Sequence, residues 1–171
     1  MSRNAKSAVL VVIFVVLFSA GGGESRTVAA PNQAIILKTP ISGPSDFETS
    51  MMFNPWVEWD PTYHLYNNGT GTAYATAKID FPKNKTAKWV KSFVVDNDIT
   101  FEIDMNVFLV VPSSKATSLL GSTSSAGAST GTQVLKVAFN QKILGNHIVV
   151  VQLWVYKNTH LIYGAQGGYL K

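Results

Sequence analysis

The chain has no cysteine among its 171 residues. This absence excludes disulfide bonds, thiol nucleophiles and cysteine-ligated zinc. A P-loop, a G-x-G-x-x-G turn and a G-x-S-x-G elbow are also missing, and no helical pattern follows Gly167-Gly168 to make a phosphate cradle. We therefore predict no enzymatic activity and no cofactor, and expect the fold to be stabilised by its core or by neighbouring subunits.

Basic, apolar and small residues follow one another at the N-terminus. Arg3 and Lys6 precede an apolar run over residues 8–18, and a glycine-rich stretch follows over 19–23. This order is typical of a secretory signal peptide, and the run is shorter than the roughly 20 residues that cross a bilayer as a helix. We expect cleavage by residue 23 and an extracellular or cell-surface protein. An uncleaved N-terminal anchor is the alternative.

Charge gives little indication of a charged partner once residues 1–23 are set aside. They contain two of the 14 Lys and Arg residues and none of the 10 Asp and Glu, so the net charge falls from +4 to +2. A nearly neutral chain does not predict a nucleic-acid partner. A membrane contact is expected only through an uncleaved N-terminal segment.

Alternation of apolar and polar residues predicts strands along most of the remaining chain. The clearest runs cover residues 72–81, 88–95, 99–111, 134–139 and 148–156. No segment beyond the N-terminus has a sustained helical period. Short strands separated by turn residues are typical of two packed antiparallel sheets. The sequence therefore predicts an all-β, antiparallel β-sandwich of immunoglobulin-like or jelly-roll type.

Turn residues between these runs predict how the strands connect. Asn and Gly within 67–71 predict a hairpin between 62–66 and 72–81. Residues 134–163 are expected to form an antiparallel meander. The stretch 112–132 is rich in Ser, Thr, Gly and Ala, and this composition predicts a long loop with at most one helical turn.

One short apolar strand stands apart within residues 24–50, ahead of a sandwich domain expected over 51–171. In the ordinary interpretation this strand pairs with a sheet edge of its own domain. In the alternative it is a donor strand that completes the sheet of the next subunit, and such head-to-tail contacts build filaments. The donor-strand candidate covers residues 34–38, and its apolar residues are Ala34, Ile35, Ile36 and Leu37.

The order of signal peptide, short N-terminal strand and β-sandwich, with the turn at 67–71 leading into 73–81, resembles secreted fibre proteins. These are the biofilm-matrix fibre proteins of bacteria and the bundling-pilus and thread subunits of archaea. The resemblance implies a structural subunit of a filament or surface layer built from identical copies. A virion structural protein shares the same sequence features and remains an alternative.

A secreted carbohydrate- or surface-binding module is the other alternative. Aromatic side chains present flat apolar surfaces on which sugars stack. Several aromatic residues are close together in the sequence before the first strong strand, and they are the candidate platform: Trp56, Trp59, Tyr63 and Tyr66.

Glu58 and Asp60 are the only candidates for catalysis. Residues two apart on a strand share a face, and glycosidases use paired carboxylates for acid–base chemistry. Many surface pairs meet the separation of about 5–10 Å that this chemistry needs. Asp60 also precedes Pro61, which favours a turn. We therefore predict binding or assembly for this chain, with a secreted hydrolase as the weakest alternative.

Metal sites are not predicted either. Four acidic residues gather within nine positions without the spacing of an EF-hand loop, so a turn and a solvated strand face are the preferred interpretation. They are Asp96, Asp98, Glu102 and Asp104. The histidines lack the spacing of zinc ligands. They are His64, His147 and His160.

Two Asn-x-Thr triplets predict N-glycosylation sites in a host that has the machinery. Their acceptor residues, Asn68 and Asn84, both lie in turn-like sequence.

Overall fold

The computed structural model describes residues 34–49, 57–60, 64–67 and 71–171, with the backbone alone at 44, 49 and 57–60. The expected signal peptide, residues 1–23, lies outside these ranges. In the described ranges no helix is long and apolar enough to cross a membrane. The strands of these ranges are β1 (Ile36–Lys38), β2 (Phe47–Thr49), β3 (Val57–Asp60), β4 (His64–Asn67), β5 (Ala73–Ile79), β6 (Thr86–Asp96), β7 (Asp104–Val111), β8 (Ala116–Ser124), β9 (Gln133–Lys142), β10 (Ile148–Val155) and β11 (His160–Leu170).

These strands form two antiparallel sheets. The five-stranded sheet has the order β2-β5-β10-β7-β8. The six-stranded sheet has the order β3-β4-β11-β6-β9, and β1 pairs with the distal part of β11. The predicted all-β, antiparallel β-sandwich is therefore confirmed.

Alternating burial along the strands builds the core between the sheets. On β5, Ala73, Ala75 and Ala77 are buried, whereas Tyr74 and Thr76 face outward and are half-buried. Residues two apart on a strand share a face, which explains this division. β7 and β10 alternate in the same way, so β5, β7 and β10 each have one face buried in the core and one face directed outward.

The predicted hairpins are wrong, because the chain crosses between sheets at these turns. β4 lies in the six-stranded sheet and β5 in the five-stranded sheet, and β10 and β11 are divided in the same way. Asn67 is fully buried, and its side-chain amide donates hydrogen bonds to the carbonyl oxygens of Gly71 (2.7 Å) and Val155 (3.1 Å). This amide therefore bridges the two sheets at the point where a hairpin was expected.

The meander predicted over 134–163 is wrong for the same reason. β9 pairs with β6 in the six-stranded sheet, whereas β10 lies between β5 and β7 in the other sheet. Turn residues mark where a strand ends, but they do not decide which sheet the next strand joins.

The strand predicted over 99–111 begins later than expected, at Asp104. The carboxylate of Asp98 accepts the backbone N–H groups of Thr100 (2.7 Å) and Phe101 (2.9 Å). The hydroxyl of Ser125 accepts the backbone N–H of Ile103. Because side chains take these N–H groups, residues 97–103 form an ordered loop before β7.

The long loop predicted over 112–132 is also wrong, since residues 116–124 form strand β8. β8 pairs with β7 and closes the edge of the five-stranded sheet. A Cβ atom at Gly121 would lie 2.6 Å from Cγ1 of Val137, which belongs to the facing sheet. The small residues of β8 thus allow this edge to approach the opposite sheet closely.

The candidate donor strand pairs within its own chain. Ile36 lies opposite Leu170, and Lys38 opposite Gly168, on β11. This is the arrangement of the ordinary interpretation, and a donor role would require β1 to leave β11. Because β2 also pairs with β5, the sandwich includes residues before position 51, where the domain was expected to begin.

Candidate functional site

An open cleft of about 440 Å³ lies on the outer face of the five-stranded sheet. It runs across β7, β8 and β10 close to where β7 begins and β10 ends. Its lining combines two aromatic rings with carboxylate, amide and hydroxyl groups. The lining residues of this polar cleft are Asp104, Asn106, Ser122, Thr123, Ser124, Trp154 and Tyr156.

Strand register places these side chains in rows across the sheet. Trp154 lies opposite Tyr74 of β5 on one side and Asp104 of β7 on the other, and Asp104 lies opposite Ser124 of β8. With neighbouring strands about 4.8 Å apart, this row extends over roughly 14 Å. A parallel row contains Asn106 and Ser122. The row from Tyr74 to Ser124 is therefore long enough for an extended ligand.

Four rings form an aromatic strip along the cleft, defined by Tyr74, Trp154, Tyr156 and Phe101. The rings of Tyr74 and Trp154 lie 5.1 Å apart at 46°. Those of Phe101 and Tyr156 are stacked, 5.7 Å apart at 23°. Trp154 and Tyr156 are two residues apart at the end of β10 and join the two pairs. All but Phe101, which is exposed, are half-buried.

Asp104 is fixed at the centre of the cleft. Its carboxylate accepts hydrogen bonds from the Tyr156 hydroxyl and from the Ser124 hydroxyl, each at 2.6 Å. Burial, together with the hydrogen bond to Asp104, raises the pKa of Tyr156 to about 12. The phenol therefore remains protonated at neutral pH and keeps both the ring and the carboxylate in place.

The side chains beside the strip offer both donors and acceptors. The indole Nε1 of Trp154 donates to the amide oxygen of Gln152 at 2.9 Å. Gln152 lies opposite Asn106 on the neighbouring strand. Flat apolar rings beside a few oriented polar groups suit a ligand that has both an apolar face and several hydroxyl groups.

A second depression, of about 380 Å³, lies at one end of the sandwich and includes Phe81 and His147 in its lining. An ion pair between Lys78 and Asp80 (2.7 Å) lies in the same lining. The ring of Phe81 packs towards the core, where it meets Gly167. This depression lacks the open row of aromatic rings that marks the polar cleft.

The two described residues of the aromatic platform predicted from sequence, Trp59 and Tyr66, belong to strands of the other sheet. Trp56 and Tyr63 are outside the described residues, and Trp59 is described only as part of the β3 backbone, opposite Leu65. Tyr66 is half-buried on β4, with its ring 6.0 Å from that of His64. The structure thus does not bring Tyr66 into contact with the polar cleft.

The backbone of the two catalytic candidates lies in that same part of the six-stranded sheet. Glu58 is opposite Tyr66, and Asp60 is opposite His64.

The four acidic residues grouped in the sequence lie in different surroundings. Asp96 is fully buried, Asp104 lies in the polar cleft and Glu102 is exposed. Backbone hydrogen bonds from Thr100 and Phe101 lower the pKa of Asp98 below its ordinary value. Within the described ranges, no three His, Asp or Glu side chains are placed to share a metal ion.

Asn84 lies in the turn between β5 and β6, with a positive φ of 63°. Its side chain is exposed, as a glycan acceptor must be, and glycosylation there stays a prediction. Asn68 lies outside the described residues.

Sequence reasoning missed Tyr74, Trp154 and Tyr156 as site residues. A signal was present, because Gln152, Trp154 and Tyr156 alternate with the buried valines and leucine of β10. Alternation shows that these side chains share the outward face, but it does not show what lies beside them. Only the pairing of β10 with β5 and β7 brings Tyr74 and Asp104 to Trp154.

Comparisons with known proteins identify similar folds but no family. No protein-family model and no curated protein sequence matches the chain. A xylan-binding module, CBM15, is similar with a TM-score of 0.51 and 8% identity, over 81% of this chain and 97% of that chain. The C-terminal CBM6 of a marine laminarinase from Zobellia galactanivorans gives a TM-score of 0.49 and 14% identity, over 78% and 98%. CsCBM6-3 from Clostridium stercorarium, solved with cellobiose, gives 0.49 and 16%, over 74% and 91%. The likeness to CBM15 supports the β-sandwich fold.

Proposed function

We propose that this chain is a carbohydrate-binding β-sandwich module and that the polar cleft with its aromatic strip is the binding site. The single observation that carries the proposal is the row in which Tyr74, Trp154 and Asp104 lie side by side on three neighbouring strands. The xylan-binding module of similar fold agrees with this assignment. The proposal replaces the platform predicted from Trp56, Trp59, Tyr63 and Tyr66 with a site on the five-stranded sheet.

Sugar rings have apolar C–H faces and a rim of hydroxyl groups. The indole of Trp154 and the ring of Tyr74 supply apolar surface for the C–H face. Asp104, Asn106 and Ser122 supply acceptors and donors for the hydroxyl groups. Since Asp104 places a negative charge at the centre of the cleft, a neutral oligosaccharide is favoured over an acidic one.

The role we propose is binding without catalysis. The carboxylate of Asp104 is occupied by two hydrogen bonds, and Tyr156 remains a phenol at neutral pH. A hydrolase that uses Glu58 and Asp60 stays the alternative, and loss of glycan hydrolysis in Glu58→Gln would support it. Export also belongs to the proposal, because the order of basic, apolar and small residues over 3–23 is that of a signal peptide.

The test is a glycan array followed by calorimetry with cellotriose and xylohexaose, using the wild-type chain and Trp154→Ala. Loss of the ring face should weaken binding at least tenfold, corresponding to about 1.4 kcal/mol. Phe93→Ala, which removes a half-buried ring from a strand of the other sheet, is the matched control.

Two outcomes would overturn the proposed site. One is the absence of glycan binding by the wild-type chain, and the other is equal binding by wild-type chain and Trp154→Ala. Binding that is lost in Trp59→Ala and kept in Trp154→Ala would move the site to the six-stranded sheet.

Assembly with further copies of this chain is a second candidate function. It is favoured by exposed apolar side chains at the edge strand β1, where Ile35 is 57% and Ile36 45% exposed. In that proposal β1 leaves its own β11 and pairs with β11 of a second copy. Electron microscopy and sedimentation at high concentration test it. Monomers that stay unchanged on deletion of residues 31–38 and in Ile35→Lys would exclude it.

A further inference from the structure

His160 connects the two aromatic residues at one end of the strip. The ring is fully buried at the start of β11. Its Nδ1 accepts the backbone N–H of Tyr156 at 3.1 Å, and its Nε2 lies 3.1 Å from the carbonyl oxygen of Phe101. One imidazole therefore fixes the backbone of both stacked residues, Phe101 and Tyr156.

These partners determine the protonation state of the ring. Because Nδ1 accepts a hydrogen bond, the proton must be on Nε2, which donates to Phe101 and to Asp96. Oδ1 of Asp96 lies 3.2 Å from Nε2. The imidazole is neutral in this arrangement.

A buried polar network holds the same loop from its other side. Oδ2 of Asp96 accepts the hydroxyl hydrogen of Ser125, and Oδ1 accepts the backbone N–H of Asp98 at 3.1 Å. Ser125 in turn accepts the backbone N–H of Ile103 at 2.8 Å. Although the network contains Ser, His and Asp, the serine contacts the aspartate and not the histidine. All three side chains are buried, so the set is arranged to hold the loop and not to attack a substrate.

Protonation of the ring conflicts with this geometry. A second proton would sit on Nδ1 and face the N–H of Tyr156, so two donors would oppose each other. Burial lowers the pKa of His160, and the negative charge of Asp96 opposes this effect. The charge of Asp98 raises the pKa of His160, and the charge of Lys157 lowers it.

We propose that His160 is a positioning residue that holds the Phe101–Tyr156 end of the aromatic strip, so that protonation of its ring releases this end and weakens glycan binding. The inference rests on the proposed function for its binding consequence. The positioning role itself can be measured without a ligand.

The first test follows the unliganded protein by NMR from pH 7.5 to 4.5. The Tyr156 amide and the Phe101 ring should change with the same midpoint as the His160 ring, and both changes should be absent in His160→Gln. Glutamine offers one acceptor and one donor without a titrating proton, so this variant keeps both contacts.

Two results would overturn the inference at this stage. In the first, His160 takes up a proton while the Tyr156 amide does not respond. In the second, the ring stays neutral down to pH 4.5. Neither result bears on whether Trp154 binds a glycan.

The second test measures affinity for cellotriose and xylohexaose at pH 7.5 and pH 5. If ligand lowers the pKa of His160 by one unit, affinity falls about tenfold at pH values below both pKa values. His160→Gln should bind equally at both pH values. Wild-type binding that does not change with pH would contradict the inference while leaving the proposed function intact. Equal binding by Trp154→Ala would instead overturn the proposed binding site, and the NMR result would still decide the positioning role.

Discussion

Two tryptophans lie on the outer faces of the two sheets, and their surroundings differ. Trp89 on β6 lies opposite Gly168, where a Cβ atom would come within 2.1 Å of the indole Cε2. The ammonium of Lys91 lies 5.0 Å from the same ring, and only 8% of Trp89 is exposed. Trp154 lies instead beside a tilted tyrosine and an open polar cleft. An outward position therefore does not make an aromatic residue a binding residue, because the neighbouring strand decides whether its ring face stays open.

Replacing each tryptophan with alanine should separate stability from binding. Trp89→Ala removes a covered ring and should lower the free energy of unfolding by about 3 kcal/mol. Trp154→Ala should lower the free energy of unfolding by less than half as much, because its ring is half-buried. The same variant should abolish most glycan affinity. Urea denaturation measures the first effect, and calorimetry under conditions where both variants are folded measures the second. The opposite pattern would show that Trp89 is the binding residue.

Gly168→Ala tests whether the close approach of Gly168 is what allows Trp89 to be covered. The added Cβ would lie 2.1 to 2.5 Å from three indole atoms, so the ring must move, at a cost of about 1–3 kcal/mol. Gly43→Ala is the control, since no atom lies within 4 Å of its added Cβ. In a double-mutant cycle with Trp89→Ala the cost of Gly168→Ala should largely disappear. If Gly168→Ala still lowers the free energy of unfolding in the Trp89→Ala background, the backbone at Gly168 and not the indole causes the loss.

For the buried His160 we expect a smaller, pH-dependent effect on the free energy of unfolding. The pKa of His160 is lowered by burial from its ordinary value of 6.5. Below pH 6.5 the unfolded chain binds a proton that the folded chain does not, so stability falls until the folded pKa is reached, by at most about 1.4 kcal/mol per pH unit. Asp98 also reduces stability as the pH falls, because its pKa is lowered as well, but it does so only around and below pH 3.8. Urea unfolding between pH 7 and 5 therefore isolates His160, and His160→Gln should remove the slope.

Strands with a characteristic residue pattern could be predicted from the sequence. Features that depend on the neighbouring strand could not. β5 was recognisable because small apolar residues alternate along it with larger or polar ones, and β10 because it is rich in valine. β8 was not recognisable, since its small residues show no alternation of apolar and polar side chains and the strand is held by pairing with β7. The crossings at 67–71 and 156–159 carry ordinary turn residues, and turn chemistry does not specify which sheet follows. Trp89 and Trp154 are both outward on predicted strands, so alternation alone could not choose between them.

The hydroxyl of Tyr156 gives the smallest expected effect. Tyr156→Phe removes one of the two donors to Asp104 and keeps the ring, so the free energy of unfolding should fall by about 1 kcal/mol. Affinity should fall only a few-fold, because the apolar surface of the strip remains. Tyr74→Phe, which keeps the ring contact with Trp154, is the matched control and should have the smaller effect on both quantities.

The absorbance of tyrosinate tests whether the hydrogen bond from Tyr156 to Asp104 accounts for the loss of stability in Tyr156→Phe. The pKa of Tyr156 is about 12, so this phenol contributes little tyrosinate at a pH of about 10.5, where an ordinary tyrosine is mostly ionised. Tyr156→Phe should therefore leave the tyrosinate absorbance of the folded protein nearly unchanged at that pH. A drop equal to one full tyrosine would show that the hydroxyl is not held by Asp104. The carboxylate would then be held by the Ser124 hydroxyl alone, and the stacked pair would depend on His160 alone.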